Sequence, residues 1–321
     1  MKKSIDIKEK VCINGIDQKI HIVGTDMNNP VVLFIHGGPG VVDRHNVVNK
    51  LSGITDRLTL VGWDQRGTGG SYKGVTEKDM TVSAIVDDAK KMVEYLCEKF
   101  NKEKIYIEGH SWGSCVGTLL VSKYPENIAA YFGQGQLVNG VRNEEVSYDY
   151  TLQKAEQADN AKDIAKLKSI GRPVKGFYEN DPYKGLTVQR RLLMKYGGGV
   201  AKRSTMFKSI AIPIMFSGEY SLPDLFGLVK GSMFTIKTIG PQMIDLDFTE
   251  KYKKFDIPMF YLIGAHDYTT PNTLAKEYYN MVEAPIKDLI WFENSAHYPL
   301  FEEPEKFARV LVEKIYQIEG M

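Results

Sequence analysis

Ile105-Tyr106-Ile107-Glu108-Gly109-His110-Ser111-Trp112-Gly113-Ser114-Cys115-Val116-Gly117 is the stretch on which the fold turns. Residues 105–108 are a short run of strand formers, and residues 114–124 read as a helix that ends near Pro125. Between them there is room only for one tight strand-to-helix turn, with Ser111 at its centre. Such a turn forces its central residue into a strained conformation, and Gly109 and Gly113 remove the side chains that would collide there. The Ser111 hydroxyl is then expected above the sheet edge, at the positive end of the following helix. Small residues Ser114, Cys115 and Gly117 let that helix lie close to the sheet.

Outward from this turn, strand and helix signals alternate. Residues 31–35, 58–63 and 128–132 are near-continuous apolar runs, the pattern of strands covered on both faces. From 81 to 100, Val82, Ile85, Val86, Ala89, Met92, Val93 and Leu96 recur at helical spacing on one face. Residues 10–13 and 19–23 flank Asn14-Gly15 as a hairpin, with a loop read as longer than the tightest type. The rhythm stops at about 136, where charged helix-forming segments such as 143–168 and the Gly197-Gly198-Gly199 loop replace strands. It resumes with strands at 257–263 and 288–292 and helices at 272–282 and 304–318. The expectation is an α/β core, residues 1–135 and 251–321, interrupted by a helical insertion, 136–250.

Composition narrows the function classes. Lys plus Arg number 41 against 40 Asp plus Glu, a net charge of +1, so nothing favours nucleic acid as a partner. No apolar stretch is long enough to span a bilayer, and the start, Met1-Lys2-Lys3 followed by Asp6 and Glu9, lacks the apolar segment of a secretory signal. Cys12, Cys97 and Cys115 form neither a disulfide framework nor a zinc motif. A cytoplasmic protein with reduced thiols is expected. Oligomeric state is not legible.

A strand-turn-helix of the form G-x-S-x-G makes Ser111 a candidate nucleophile, with a plain structural turn or a phosphate-binding turn as the alternatives. A serine hydroxyl needs a base, and the base an orienter. Among the histidines, His297 falls in the loop after the last strand and Asp267 in the loop after the strand before it. Both therefore leave strand C-termini at the edge that carries Ser111. His266 beside the acid reads as structural, His110 is expected to point elsewhere, and Asp245 and Asp247 are rival acids without a supporting strand. Acyl transfer also needs two backbone N–H donors for the oxyanion, for which Gly38, in His36-Gly37-Gly38-Pro39-Gly40, and Trp112 are the candidates. In Trp63-Asp64-Gln65-Arg66-Gly67-Thr68-Gly69-Gly70-Ser71, Asp64 and Arg66 are expected to pair across the turn and brace the oxyanion loop. No metal or cofactor is implied.

The motifs HGGPG at 36–40, WDQRGTGGS at 63–71 and GHSWGS at 109–114, with the spacing to Asp267 and His297, resemble the prolyl iminopeptidases of the α/β-hydrolase fold. The resemblance implies a mostly parallel eight-stranded sheet with helices on both faces and a helical cap over the active site. It implies a serine aminopeptidase that releases an N-terminal residue, often proline, from short peptides. A small-molecule carboxylesterase or amidase of the same fold is the second expectation, and a non-catalytic binding protein on this scaffold the third. The family anchors the peptide's amine with glutamates, one just after the catalytic aspartate. Here Tyr268 stands at that position, and Glu219 in the insertion is a candidate substitute.

Overall fold

The computed structural model describes residues 4–201 and 212–321; residues 1–3 and, within the helical stretch, 202–211 lie outside the described residues. Eight strands form one sheet: β1 Ile5–Ile13, β2 Ile16–Gly24, β3 Val31–Ile35, β4 Thr59–Trp63, β5 Ile105–His110, β6 Ile128–Gln134, β7 Met259–Gly264 and β8 Lys287–Phe292. Their order is β1-β2-β4-β3-β5-β6-β7-β8. From β4 to β8 every pairing is parallel, while β2 runs antiparallel to both β1 and β4.

The first hairpin corrects the sequence reading. Ile13 pairs directly with Ile16, so the loop is Asn14-Gly15 alone. Both residues have positive φ, 49° and 80°, which is the backbone of the tightest hairpin turn and the reason Asn-Gly suits it.

Helices cover both sheet faces because both faces are apolar. On one, the helix Val82–Phe100 buries Ile85, Ala89, Met92 and Leu96 against Leu33, Val61 and Ile107. Its N-cap Thr81 accepts the Ala84 N–H, and Asn101, left-handed at φ 49°, ends it. The helices Trp112–Lys123 and Asn272–Met281 pack on that side too. On the other, Pro304–Glu319 buries Phe307, Leu311 and Ile315 against Phe132, Phe260 and Phe292. Each such side chain, fully withdrawn from water, stabilises the fold by roughly 1.5–3 kcal/mol.

Between β6 and β7 the described residues contain helices and no strand of the sheet: Gly140–Gln157, Ala161–Ile170, Pro182–Lys195, Ile212–Phe216, Leu222–Ile244 and Phe248–Lys251. Tyr148, Leu167, Tyr178 and Leu192 make a small core of their own there. Leu222–Ile244 lies directly on the loop after β3, where Ser232 Oγ and Thr235 Oγ1 donate to the carbonyls of Gly40 (2.8 Å) and Pro39 (3.1 Å). No helix among the described residues is long and apolar enough to cross a membrane.

Candidate active site

Ser111 takes φ 55°, ψ −116°, immediately before the helix Trp112–Lys123. The conformation is strained, and the surroundings enforce it: a Cβ on Gly113 would lie 1.9 Å from the Ile35 carbonyl oxygen, so the turn closes this tightly only with glycine there. The Ser111 N–H donates to the Gln134 carbonyl at 2.9 Å, anchoring the turn to β6.

Asp267 follows β7 and is fully buried. Its Oδ1 accepts the N–H groups of Thr269 (2.8 Å) and Thr270 (3.0 Å), and its Oδ2 accepts the Thr270 hydroxyl (2.8 Å). The remaining contact of Oδ2 is His297 Nδ1 at 2.9 Å. Every lone pair of the acid is thus used, and the imidazole ring is held by one edge. His297 is fixed from behind as well. Its backbone N–H donates to the Gly199 carbonyl (3.2 Å), and the half-buried Glu302 carboxylate accepts the Ala296 N–H (2.8 Å) and the Ala201 N–H (2.7 Å). Burial pushes the Glu302 carboxyl up, against the pull of these N–H donors.

Ser111 and His297 line one cavity of about 370 Å³, together with Gly38 and, from the helical stretch, Glu144, Tyr178 and Arg190. Much of the remaining wall is apolar, with Val42, Leu137, Leu186, Ile236, Met243 and Phe301. Gly38 has φ +117°, and a Cβ there would meet the backbone nitrogens of Gly40 at 2.6 Å and Val41 at 2.7 Å. Trp112 is the first residue of its helix, with its ring buried.

The WDQRG segment joins these two positions through a residue the sequence reading passed over. Gln65 Oε1 accepts the Trp112 indole N–H (2.9 Å), while Gln65 Nε2 donates to the His36 carbonyl (2.9 Å) and its backbone N–H to His36 Nε2 (3.2 Å). The expected Asp64–Arg66 pairing is overturned. Asp64 takes a two-point bond from Arg44 (2.7 and 3.1 Å), and Arg66 takes Asp88 (2.5 Å to each oxygen). Each arginine reaches away from the turn because two fully matched forks are available elsewhere.

Other expectations also change. His110 does not point away from the site: its ring lies 4.8 Å from that of His297, and Nε2 meets the His297 carbonyl at 2.8 Å. Burial and the neighbouring His297 charge press His110 well below the ordinary histidine range, so it stays neutral. His266 is exposed. Asp247 caps Phe248–Lys251 and bonds Asn139, Asp245 ends Leu222–Ile244, and neither lines the cavity.

The two candidate substrate contacts, Glu219 and Tyr268, are not brought to the cavity. Glu219 is turned to the sheet edge, where it takes His21 Nδ1 (2.7 Å) and Lys8 Nζ (3.2 Å). Tyr268 stacks on Tyr150, with centroids 3.5 Å apart. Glu144, which the sequence reading missed, is a carboxylate that does face the cavity. Its Oε1 is paired with Arg190 Nη2, and among the described residues its buried Oε2 has no partner, nor does the Tyr178 hydroxyl. Glu144 and Arg190 lie on different helices of the stretch, and no local pattern marks either. Among the described residues, no group of three or more His, Cys, Asp or Glu could hold a metal ion.

Comparison with known proteins agrees with this fold. A family model for the alpha/beta hydrolase fold matches residues 30–304. The chain is 30% identical over 315 residues to a probable aminopeptidase, YbaC, of Bacillus subtilis, covering 97% of this chain and 96% of that one. It is 25% identical over 317 residues to a proline iminopeptidase of Saccharolobus solfataricus, covering 95% and 91%. A crystal structure of the Mycobacterium smegmatis proline iminopeptidase superposes with a TM-score of 0.64 at 15% identity, over 97% and 98% of the two chains. With its sheet order, its serine turn and a family match over most of its length, the chain belongs to the α/β hydrolase fold family.

Proposed function

We propose that this α/β hydrolase is a serine hydrolase acting through an acyl-enzyme on Ser111, and that it releases the N-terminal residue of short peptides. The observation that carries the chemistry is the 2.9 Å His297–Asp267 bond beside a cavity that Ser111 also lines. In this reading His297 Nε2 takes the Ser111 proton as the hydroxyl attacks the acyl carbon, and Asp267 steadies the imidazolium that forms. The N–H groups of Gly38 and Trp112 receive the oxyanion, each such donor being worth about 10²–10³ in rate. The proton then passes to the leaving amine, and water repeats the sequence on the acyl-enzyme. The helical stretch 136–250 acts as a cap that closes the cavity.

The peptidase reading is supported by Glu144 Oε2 and Tyr178 Oη, two buried acceptors on the cavity wall with no partner among the described residues. A substrate ammonium would satisfy both, in place of Glu219 and Tyr268. An esterase or amidase is the second reading, favoured by Tyr268 standing where the resembled family has glutamate. The three free thiols support a reducing, cytoplasmic setting.

A fluorophosphonate probe should label the wild-type chain and not Ser111→Ala, which should lose activity by about 10⁴-fold or more. Substantial turnover by that variant would refute the nucleophile. A panel of prolyl, alanyl and other aminoacyl arylamides against short acyl esters separates the two readings. Turnover of esters alone, indifferent to blocking of the amine, would end the peptidase reading.

A further inference from the structure

Several buried carboxylates in this protein are paired with arginines: Asp64 with Arg44, Asp88 with Arg66 and Glu144 with Arg190. Among the described residues, half-buried Asp43 and buried Glu108 are not. Asp43 ends the loop after β3 and lines the cavity, where its carboxylate accepts from Asn46 Nδ2. Glu108, on β5 three residues before Ser111, is 2% exposed, and its Oε1 has no partner among the described residues. Among the described residues, neither acid has a Lys or Arg partner. Asp43 is half-buried, and a carboxylate on a cavity wall with no counter-ion is an arrangement that an incoming cation would relieve.

We propose that Asp43, backed by Glu108, receives a cationic side chain of the substrate: the ammonium or guanidinium of an N-terminal lysine, ornithine or arginine. The inference rests on the reading that substrate occupies this cavity, and it narrows the released residue from proline to a basic one. Val41 and Val42, next to Asp43 on the cavity wall, suit the methylene stem of such a side chain. Glu144 and Tyr178 then remain for the α-amine, so the cavity carries one acidic pole on the sheet edge and one on the helical stretch.

Asp43 must be ionised to act. Burial pushes its carboxyl up to about 7. The groups that face it are Glu108 from β5, Tyr298 from the His297 loop, Tyr220 from the helical stretch and Asn46 on its own helix. Of these, burial and the Asp43 charge push the Glu108 carboxyl well up, and both tyrosines are pushed up as well. Arg44, beside it in sequence, is committed to Asp64, and burial presses His45 down to about 4.

The test is calorimetric binding of n-butylammonium and of 1-butanol to the wild-type chain, Asp43→Asn and Glu144→Gln, between pH 6 and 9. Since no turnover is read, an unreactive Ser111 would sink the proposed function and leave this result standing. At pH 8 the cation should bind wild type about 10-fold or more tighter than the alcohol. That advantage should persist in Glu144→Gln, fall in Asp43→Asn, and shrink in wild type as pH falls through about 7 and Asp43 gains a proton. Equal binding of cation and alcohol to wild type, at every pH, overturns the proposal without recourse to any variant. Loss of the cation's advantage in Glu144→Gln but not in Asp43→Asn overturns it too, by moving the cation to the other pole.

Discussion

The sheet edge and the helical stretch between β6 and β7 place their functional side chains by different means. At the edge, backbone does the placing. Ser111, Asp267 and His297 each stand within a few residues of the end of β5, β7 or β8, and parallel pairing brings those ends together. In the helical stretch, Glu144 and Arg190 meet only because two helices pack, and Glu219 is drawn out of the site by His21 and Lys8 on strands far away in sequence. Chemistry fixed by backbone topology tolerates change around it. Chemistry fixed by helix packing is where specificity is free to vary.

The sharpest test of the edge is Asp267→Asn. Asparagine keeps the shape and can still accept from Thr269 and Thr270. Its amide, turned toward His297, would present N–H to Nδ1 and favour the wrong tautomer, with no charge for the imidazolium. Activity toward any acyl substrate should fall by about 10⁴-fold, with the melting temperature little changed. Stopped assays on an ester and an arylamide should report the same loss, since the step affected is common to both. A loss of only a few-fold would mean that Asp267 merely supports the loop.

The contrast between the regions also explains what was legible in the sequence. Strand C-termini can be counted off a hydrophobic pattern, so the serine turn, the acid and the base all follow from where runs such as 105–108 and 288–292 stop. Gly38 follows from the loop after β3 in the same way. Gln65 does not, because its role is to bridge Trp112 and His36, and nothing local announces a glutamine with three partners. Asp64 and Arg66, two residues apart, look like natural partners in sequence. The fold instead offers each a buried counter-ion with a matched fork, and tertiary geometry prevails over proximity. His110, beside Ser111 in sequence, reads as pointing elsewhere, yet its ring packs against His297 and Tyr298.

A smaller effect should come from Glu144→Gln, which tests the helical stretch. Glutamine keeps an oxygen for Arg190 and removes the charge offered by Oε2. Loss of one charge-assisted hydrogen bond, about 1.5–3 kcal/mol, corresponds to roughly 10- to 150-fold in kcat/KM for free-amine substrates. Amine-blocked esters should be unaffected, so the comparison of the two is the readout. An equal loss on both would make Glu144 a structural partner of Arg190 alone.

The smallest effect on turnover is expected at Glu219, a candidate substrate contact in the sequence. Burial would raise its carboxyl, but the bond and charge of His21, with Lys8, outweigh this and hold it below the usual range. A depressed carboxylate stabilises the fold above its unfolded pKa, and that contribution is lost as pH falls through the folded value. Glu219→Gln should therefore leave kcat/KM unchanged and lower stability near neutrality, by about 1–3 kcal/mol if the bond to His21 behaves as a charge-assisted hydrogen bond. The gap to wild type should close as pH falls through and below the usual carboxylate range, where the wild-type carboxylate is itself neutralised. Melting curves taken from pH 3 to 8 would show the two chains converging on the acid side. A constant gap across that range would mean that shape, not charge, holds the strand hairpin to the helical stretch. A fall in kcat/KM at full stability would return Glu219 to the substrate and erase the distinction drawn between the two regions.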